Sequence, residues 1–301
     1  MKRRSFLALA LTPALVHSGF SQTEIGDDTI LRAMRDELDR SRQLRVVGGA
    51  DEAPYYIGYT LEDSREFKVM AEMGAVIAKA GSRFRTPTIV VRLGSYDFDQ
   101  TGHIYTGYYS GSRLDGQWPL DDDYQALRDA LWLSTDHAYK AALESMARKR
   151  ASLNNASTPP DRLPDFSRVE PVVKIEKAGL PKLDEDAWTA RVSKLSAVFN
   201  AYPEVQSSGV LYTAIEGVNY MTTSEGTALR YPDRFAYLYA KASGQAPDGM
   251  FVHGLAEFPA IRFDQLPPEA EIQKAFTDVA QNITALVKAP VGEAFSGPAL
   301  F

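Results

Sequence analysis

Two hydrophobic periods run through this chain. Ile30, Leu31, Met34 and Leu38 follow Asp27 and Asp28 with the three-to-four spacing of a helix face, which predicts a helix ending near Arg42. Tyr55, Ile57, Tyr59 and Leu61 then recur at every second position and predict a strand over 55–61. Residues 66–80 hold Val69, Met73 and Val76 with Gly74 among them and Gly81 just beyond, and read as one long strand. Thr88–Leu93 is β-branched and bracketed by Pro87 and Gly94, a further strand. A loop rich in glycine and tyrosine runs from His103 to Trp118. Asp121–Asp123 opens a long helix to about Arg150; three carboxylates suit the positive end of its dipole, and Lys149 and Arg150 suit the other end.

The second half repeats this order. Asn154, Asn155, Pro159, Pro160 and Pro164 mark 152–167 as a loop, the best internal boundary. Val169–Ile175 predicts a short strand, and Asp184 starts a helix with Trp188, Val192, Leu195 and Phe199 on one face. Strands are expected at 209–215, 219–223, 227–241 and 250–258, with a hairpin connection at Ser224–Thr227. Phe235, Tyr237 and Tyr239 share one face of their strand; Ala236, Leu238 and Ala240 share the other. After Pro268 comes a helix with Ile272, Phe276, Val279, Ile283, Leu286 and Val287 along one side, closed by Pro290 and Gly292. Strands follow one another instead of alternating with helices. The expected class is α+β: two helix–strands–helix halves, a largely antiparallel sheet, and long helices packed on it.

Composition narrows the function classes. The 301 residues are 45% hydrophobic and 24% charged, which excludes a disordered, collagen-like or rod-like chain. There is no cysteine, so disulfides, thiol catalysis and iron–sulfur clusters are excluded. A net charge of −6 argues against general affinity for nucleic acid or anionic membrane. The start of the chain reads as an address. Lys2, Arg3 and Arg4 precede an apolar run from Phe6 to Val16, too short to span a bilayer. Arg3-Arg4-Ser5-Phe6-Leu7 looks like a twin-arginine export signal, with the small residues Gly19 and Ser21 before a cleavage after Ser21. An ordinary secretory signal and a retained N-terminal anchor are the alternatives. The expected division is therefore a signal over 1–21 and a mature domain over 22–301, exported to the periplasm. Loss of the three cations leaves 30 basic against 39 acidic residues, net −9.

Chemistry-bearing motifs are few. The four histidines are His17, His103, His137 and His253, and no two lie close enough to ligate a metal from one helix. His253 and Glu257 share a strand face but stand more than about 12 Å apart at roughly 3.3 Å per residue. His253, beside Phe251 and Leu255, reads as a partly buried structural residue, and His137 as part of a solvated helix face. His103 carries the most functional weight of the four, because loops carry sites. Asp97 and Asp99 at a strand end place two carboxylates on one face, a spacing usable for glycoside hydrolysis; the competing reading is a polar turn. Gly107-Tyr108-Tyr109-Ser110-Gly111 has its serine misplaced for a nucleophile elbow, and no phosphate-binding glycine motif occurs. The last residues, Ala299-Leu300-Phe301, are apolar where chain ends are usually polar, and read as a strand entering another core or as a tail on this one.

Several segments resemble the N-terminal half of the TldD/PmbA metallopeptidase family: Pro54–Tyr59, Ser82–Pro87, Val90–Asp99, Thr223–Thr227 and Ala242–Gly249. Ala289–Glu293 with Ser296-Gly297-Pro298 looks like that family's junction between its halves. The resemblance spans residues 28–301 and rests on the order and spacing of these segments together. It implies metal-dependent peptide hydrolysis, with zinc expected in a C-terminal half that carries a His-Glu-x-x-x-His helix. No such motif occurs in this sequence, so no catalytic or metal-binding residue carries over and no cofactor is expected in this chain. The implied partners are a peptide substrate and a C-terminal domain or second family subunit, with no nucleic acid and no membrane after signal cleavage. The alternative is a non-enzymatic module that holds peptides or a partner outside the cytoplasm, and a third reading is a carboxylate hydrolase built on Asp97 and Asp99.

Overall fold

The computed structural model describes residues 28–44, 53–102, 112–113, 118–154, 163–177, 183–290, 292 and 296–298. Its elements follow the order α1 (Thr29–Ser41), β1 (Pro54–Glu72), β2 (Ala75–Leu93), β3 (Ser112–Arg113), α2 (Tyr124–Asn154), β4 (Val173–Ile175), α3 (Glu185–Ser196), β5 (Ser207–Thr223), β6 (Ala228–Gln245), β7 (Phe251–Ala260) and α4 (Glu269–Lys288). A single-turn 3-10 helix, Ala197–Ala201, continues α3. The class is α+β, as the pattern predicts. The strands form one sheet in the order β3-β2-β1-β5-β6-β4, with β7 also on β6. Among the described residues every ladder is antiparallel except β4 on β6.

The residues read as one strand over 66–80 form two strands instead. Met73 and Gly74 make a two-residue turn with φ of 47° and 89°, so β1 folds back on itself as β2. Positive φ at both central positions matches the twist of the flanking strands. Three side chains from the α3 region secure the turn. Gly74 N–H donates to Ser196 Oγ (2.9 Å), Ser193 Oγ donates to Gly74 O (2.6 Å), and Asn200 Nδ2 donates to Met73 O (3.0 Å). A Cβ on Gly74 would sit 3.4 Å from that of Ala197. Gly74→Ala should therefore lower stability by about 1–2 kcal/mol, mainly through the left-handed backbone; urea unfolding of the variant measures it. The two strands expected at 209–215 and 219–223 are likewise one, β5, and α2 runs four residues beyond Arg150.

All four helices among the described residues cover the same face of the sheet. Ile57, Tyr59 and Leu61 of β1 are buried against α1 and α2, while Phe67, Val69 and Ala71 are buried against α3 and α4. Both sets are odd-numbered on one strand, so they point the same way. The result is two cores side by side on one sheet, one for each helix pair. Tyr59 joins three elements of the first core: its hydroxyl lies 2.7 Å from Thr135 Oγ1 on α2 and 3.1 Å from Ser41 Oγ on α1. Burial pushes that hydroxyl's pKa up to about 12. In the second core Trp188 stacks on Tyr212 at 3.8 Å and 6°, a pairing worth about 0.5–1.5 kcal/mol beyond its burial. The opposite face of the sheet has no helix among the described residues. Phe235, Tyr237 and Tyr239 form an aromatic row there, while Ala236, Leu238 and Ala240 point into the core, as the alternation predicts. No described helix is long and apolar enough to cross a membrane.

Candidate functional site

Between the two cores the helix-covered face turns polar, because β1, β2, β5 and β6 all carry charges at the same level. Asp63 pairs across the ladder with Arg85, Arg65 with Arg83, and Glu216 with both Arg65 and Arg234. The helix pairs part here and leave a cleft of about 550 Å³ lined by Arg65, Phe67, Leu183, Asp184, Glu185, Asp186, Ala214 and Glu216. One wall is the start of α3, where Asp184 caps the helix by accepting from Ala187 N–H at 2.9 Å. Glu185 reaches Arg65 at 3.2 Å and Asp186 reaches Lys79 at 2.9 Å.

Arg85 lies two residues along the β1–β2 ladder from the Arg65–Arg83 pair, opposite Asp63. Its side chain is fully buried, and it donates to Asp63 Oδ2 (2.7 Å), Asp122 Oδ1 (2.6 Å) and the carbonyls of Pro119 (2.7 Å) and Asp121 (3.2 Å). Burial alone would raise the pKa of Asp63, but the hydrogen bonds from Arg83 and Arg85 overcome it and the net shift is downward. The three acids expected to serve the α2 dipole thus divide their work. Asp123 caps the helix through Ala126 N–H (2.7 Å), while Asp122 and the backbone of Asp121 hold Arg85.

Two side-chain oxygens in the cleft region lack a hydrogen-bond partner among the described residues. Glu216 is half-buried, and its Oε1 has no hydrogen-bond partner. Desolvation raises its pKa, against the lowering influence of Arg234 and Arg65. The Tyr212 hydroxyl is also buried without a partner, and burial together with the Glu216 charge raises its pKa. A carboxylate raised in the folded state binds its proton more tightly there than in the unfolded chain. It therefore costs stability above its ordinary 4.5 and costs nothing well below it. Glu216→Gln should raise the midpoint of thermal unfolding at pH 7.5, with the gain fading as pH falls toward 4. Melting curves across that range check it.

The other sequence candidates fall elsewhere. Asp97 and Asp99 do not share a working face. Gly94, with φ of 93°, ends β2 and turns the chain, which leaves Asp97 exposed and Asp99 fully buried. Asp99 accepts from Tyr55 OH (3.0 Å) and Thr101 Oγ1 (2.6 Å), so the proposed carboxylate pair is a structural turn. His253 is exposed, not partly buried, because its face of β7 is the uncovered one; Phe251 and Leu255 beside it are 74% and 54% exposed. His137 is half-buried on α2. His103 and the Gly107–Gly111 segment lie outside the described residues, as do the signal segment and the Ala299–Phe301 end. Lys149, expected to serve the C-terminal end of the α2 dipole, is buried. It donates to Asp165 Oδ2, Asp99 O and Thr101 O, each at 2.6 Å. Among the described residues no three of His, Cys, Asp and Glu are placed to hold a metal ion.

No family model and no curated protein matches this sequence. Some solved structures are similar to the chain at low identity. TldE from Thermococcus kodakarensis is similar over 83% of this chain at 11% identity and a TM-score of 0.49. These neighbours include a TldD/PmbA protein. Two candidate modulators of DNA gyrase also match: one from Thermotoga maritima over 87% of this chain (12% identity, TM-score 0.45), and one from Bacteroides thetaiotaomicron over 85% (12%, 0.47). The chain spans about half the length of each, 47–49%.

Proposed function

We propose that this chain is the N-terminal region of an exported TldD/PmbA-like metallopeptidase, which shapes a path for peptide but carries no hydrolytic machinery of its own. The order of the family-like segments supports the assignment. The observation that carries the functional reading is the charged cleft between the helix pairs, solvent-open and floored by Phe67 and Ala214, with the Glu216 Oε1 lacking a hydrogen-bond partner among the described residues. The described donor set does not fit a zinc site: His137 and His253 lie on separate elements, and Asp99 is spent on Tyr55 and Thr101. Hydrolysis would belong to a metal-binding half, covalent or separate. The arginine pair at the start of the chain supports export, and N-terminal sequencing of the secreted protein should begin at Gln22.

Metal analysis tests the reading. The purified chain, dialysed against micromolar zinc, should retain well under one equivalent. Stoichiometric, tightly held zinc would overturn it. A second reading, a peptide- or partner-holding module without enzymatic descent, is favoured by the uncovered sheet face with its row of Phe235, Tyr237 and Tyr239.

A further inference from the structure

The cleft between the helix pairs holds polar groups that the described residues leave unsatisfied. Four carboxylates line it, those of Asp184, Glu185, Asp186 and Glu216, against the single guanidinium of Arg65. Three of the four are occupied: Asp184 accepts from Ala187 N–H, Glu185 holds Arg65 and Asp186 holds Lys79. Glu216 differs. Arg65 and Arg234 are its ladder neighbours, yet its Oε1 accepts no hydrogen bond among the described residues. A carboxylate oxygen shielded from water in that state costs free energy, and a donor arriving from outside would recover it.

A second observation is independent of the acids. Tyr212, Ala214 and Glu216 are alternate residues of β5, so their side chains point the same way. Tyr212 is 0% exposed, and its hydroxyl also has no partner among the described residues. The small Ala214 between them lines the open volume of about 550 Å³, a size within the usual range for a small-ligand site. The aromatic surroundings suit a cation. Phe67 lines the cleft, and the Lys79 ammonium lies 5.8 Å from its ring centroid. Trp188, stacked on Tyr212, carries the Arg191 guanidinium at 4.6 Å. Rings placed like this attract positive charge through their quadrupole. An anion would be repelled by the four carboxylates that draw a cation in. Of the two common organic cations, guanidinium fits better than ammonium. It is planar and weakly hydrated, stacks on aromatic faces, and presents a fork of donors that spans a carboxylate.

We infer that this cleft binds a guanidinium group on a short aliphatic stem, with Glu216 as its carboxylate partner and the Phe67 ring beside it. The Glu216 carboxyl turns about its soft terminal torsion to present both oxygens to the ligand. The same chemistry comes from two sources, a free guanidine base or the arginine side chain of a peptide. The second source deepens the peptide path proposed above and rests on that reading; the first does not.

Titration calorimetry on the full chain at pH 7.5 tests it with three probes: agmatine, the blocked tripeptide acetyl-Ala-Arg-Ala-amide, and the same tripeptide with citrulline, a neutral urea of nearly equal shape, in place of arginine. At least one guanidine probe should bind at one site, and the citrulline peptide should bind about ten-fold more weakly or worse than the arginine peptide. Glu216→Gln should weaken guanidine binding by about ten-fold or more. That variant is expected to melt higher than the parent at this pH, so its loss of binding is not a loss of fold. Agmatine binding as tightly as the arginine peptide supports the site and assigns the ligand as a free base. A ten-fold preference for the peptide supports the site and assigns the ligand as a residue of a chain. Three results would overturn the inference: no saturable binding of either guanidine, equal binding of the citrulline and arginine peptides, or unchanged binding in Glu216→Gln. Peptide cleavage by this chain would sink the function proposed above and leave the site standing, so the two failures are separable.

Discussion

Arg85→Met should lower the unfolding free energy by about 3–5 kcal/mol, the usual cost of removing one partner from a buried ion pair. Methionine matches the aliphatic stem and keeps the packing. What it removes is four hydrogen bonds that converge on one guanidinium: two to the carboxylates of Asp63 and Asp122, two to the carbonyls of Pro119 and Asp121. Asp63 keeps only Arg83, whose side chain is 45% exposed. Lysine should rescue little, because one ammonium cannot span partners arranged for a planar fork. The pH dependence is distinctive. Asp63 has a folded pKa below its ordinary 3.8, so its stabilising contribution is present above that value and is lost as pH falls through the lowered one. The deficit of Arg85→Met should therefore be largest near neutrality and shrink below about pH 4. Urea titrations at pH 7 and pH 3.5 measure both points, and Asp63→Asn in the Arg85→Met background should recover part of the loss.

Lys149→Met should cost a similar amount, about 3 kcal/mol or more. The Lys149 ammonium closes the turn that follows β2, bonding Asp165 and two backbone carbonyls, and lies 4.7 Å from the Phe98 ring. Without it Asp165 keeps its bond from Asp99 N–H but loses the Lys149 ammonium, in a setting where its side chain is only 11% exposed. Loss of this tie should be local as well as global. Proteolysis within residues 95–102 should accelerate more than the fall in overall stability explains, and Asp165→Asn in the same background should restore part of the lost stability.

Both arginine and lysine anchors show how far the sequence could be read. The stripe Leu127, Leu131, Ala138, Ala142, Met146 sets the buried face of α2, and Lys149 lies on its continuation by helical spacing. The signal was present, but charge at a helix end has a simpler reading in the dipole, which hid it. The β1–β2 turn was hidden for a different reason. Met73 takes a left-handed conformation that methionine disfavours, and the compensating bonds come from Ser193, Ser196 and Asn200, more than a hundred residues away. Period-two patterning was reliable wherever one face is buried, as at Ala236, Leu238 and Ala240. It could not tell which face of β7 is covered, and that is why His253 was misplaced. The cleft was not legible at all. Beside it Asp63, Arg65, Arg83, Arg85, Glu216 and Arg234 meet in register across four strands, and register is not written in any one of them.

The central claim is that this chain handles peptide without cutting it. The direct measurement is to incubate the purified chain with a mixture of unstructured peptides and micromolar zinc, then follow retention and cleavage by mass spectrometry. The account predicts peptides retained and recovered intact, with or without chelator. Cleavage that chelation abolishes would contradict it, and would place a working metal centre in this chain.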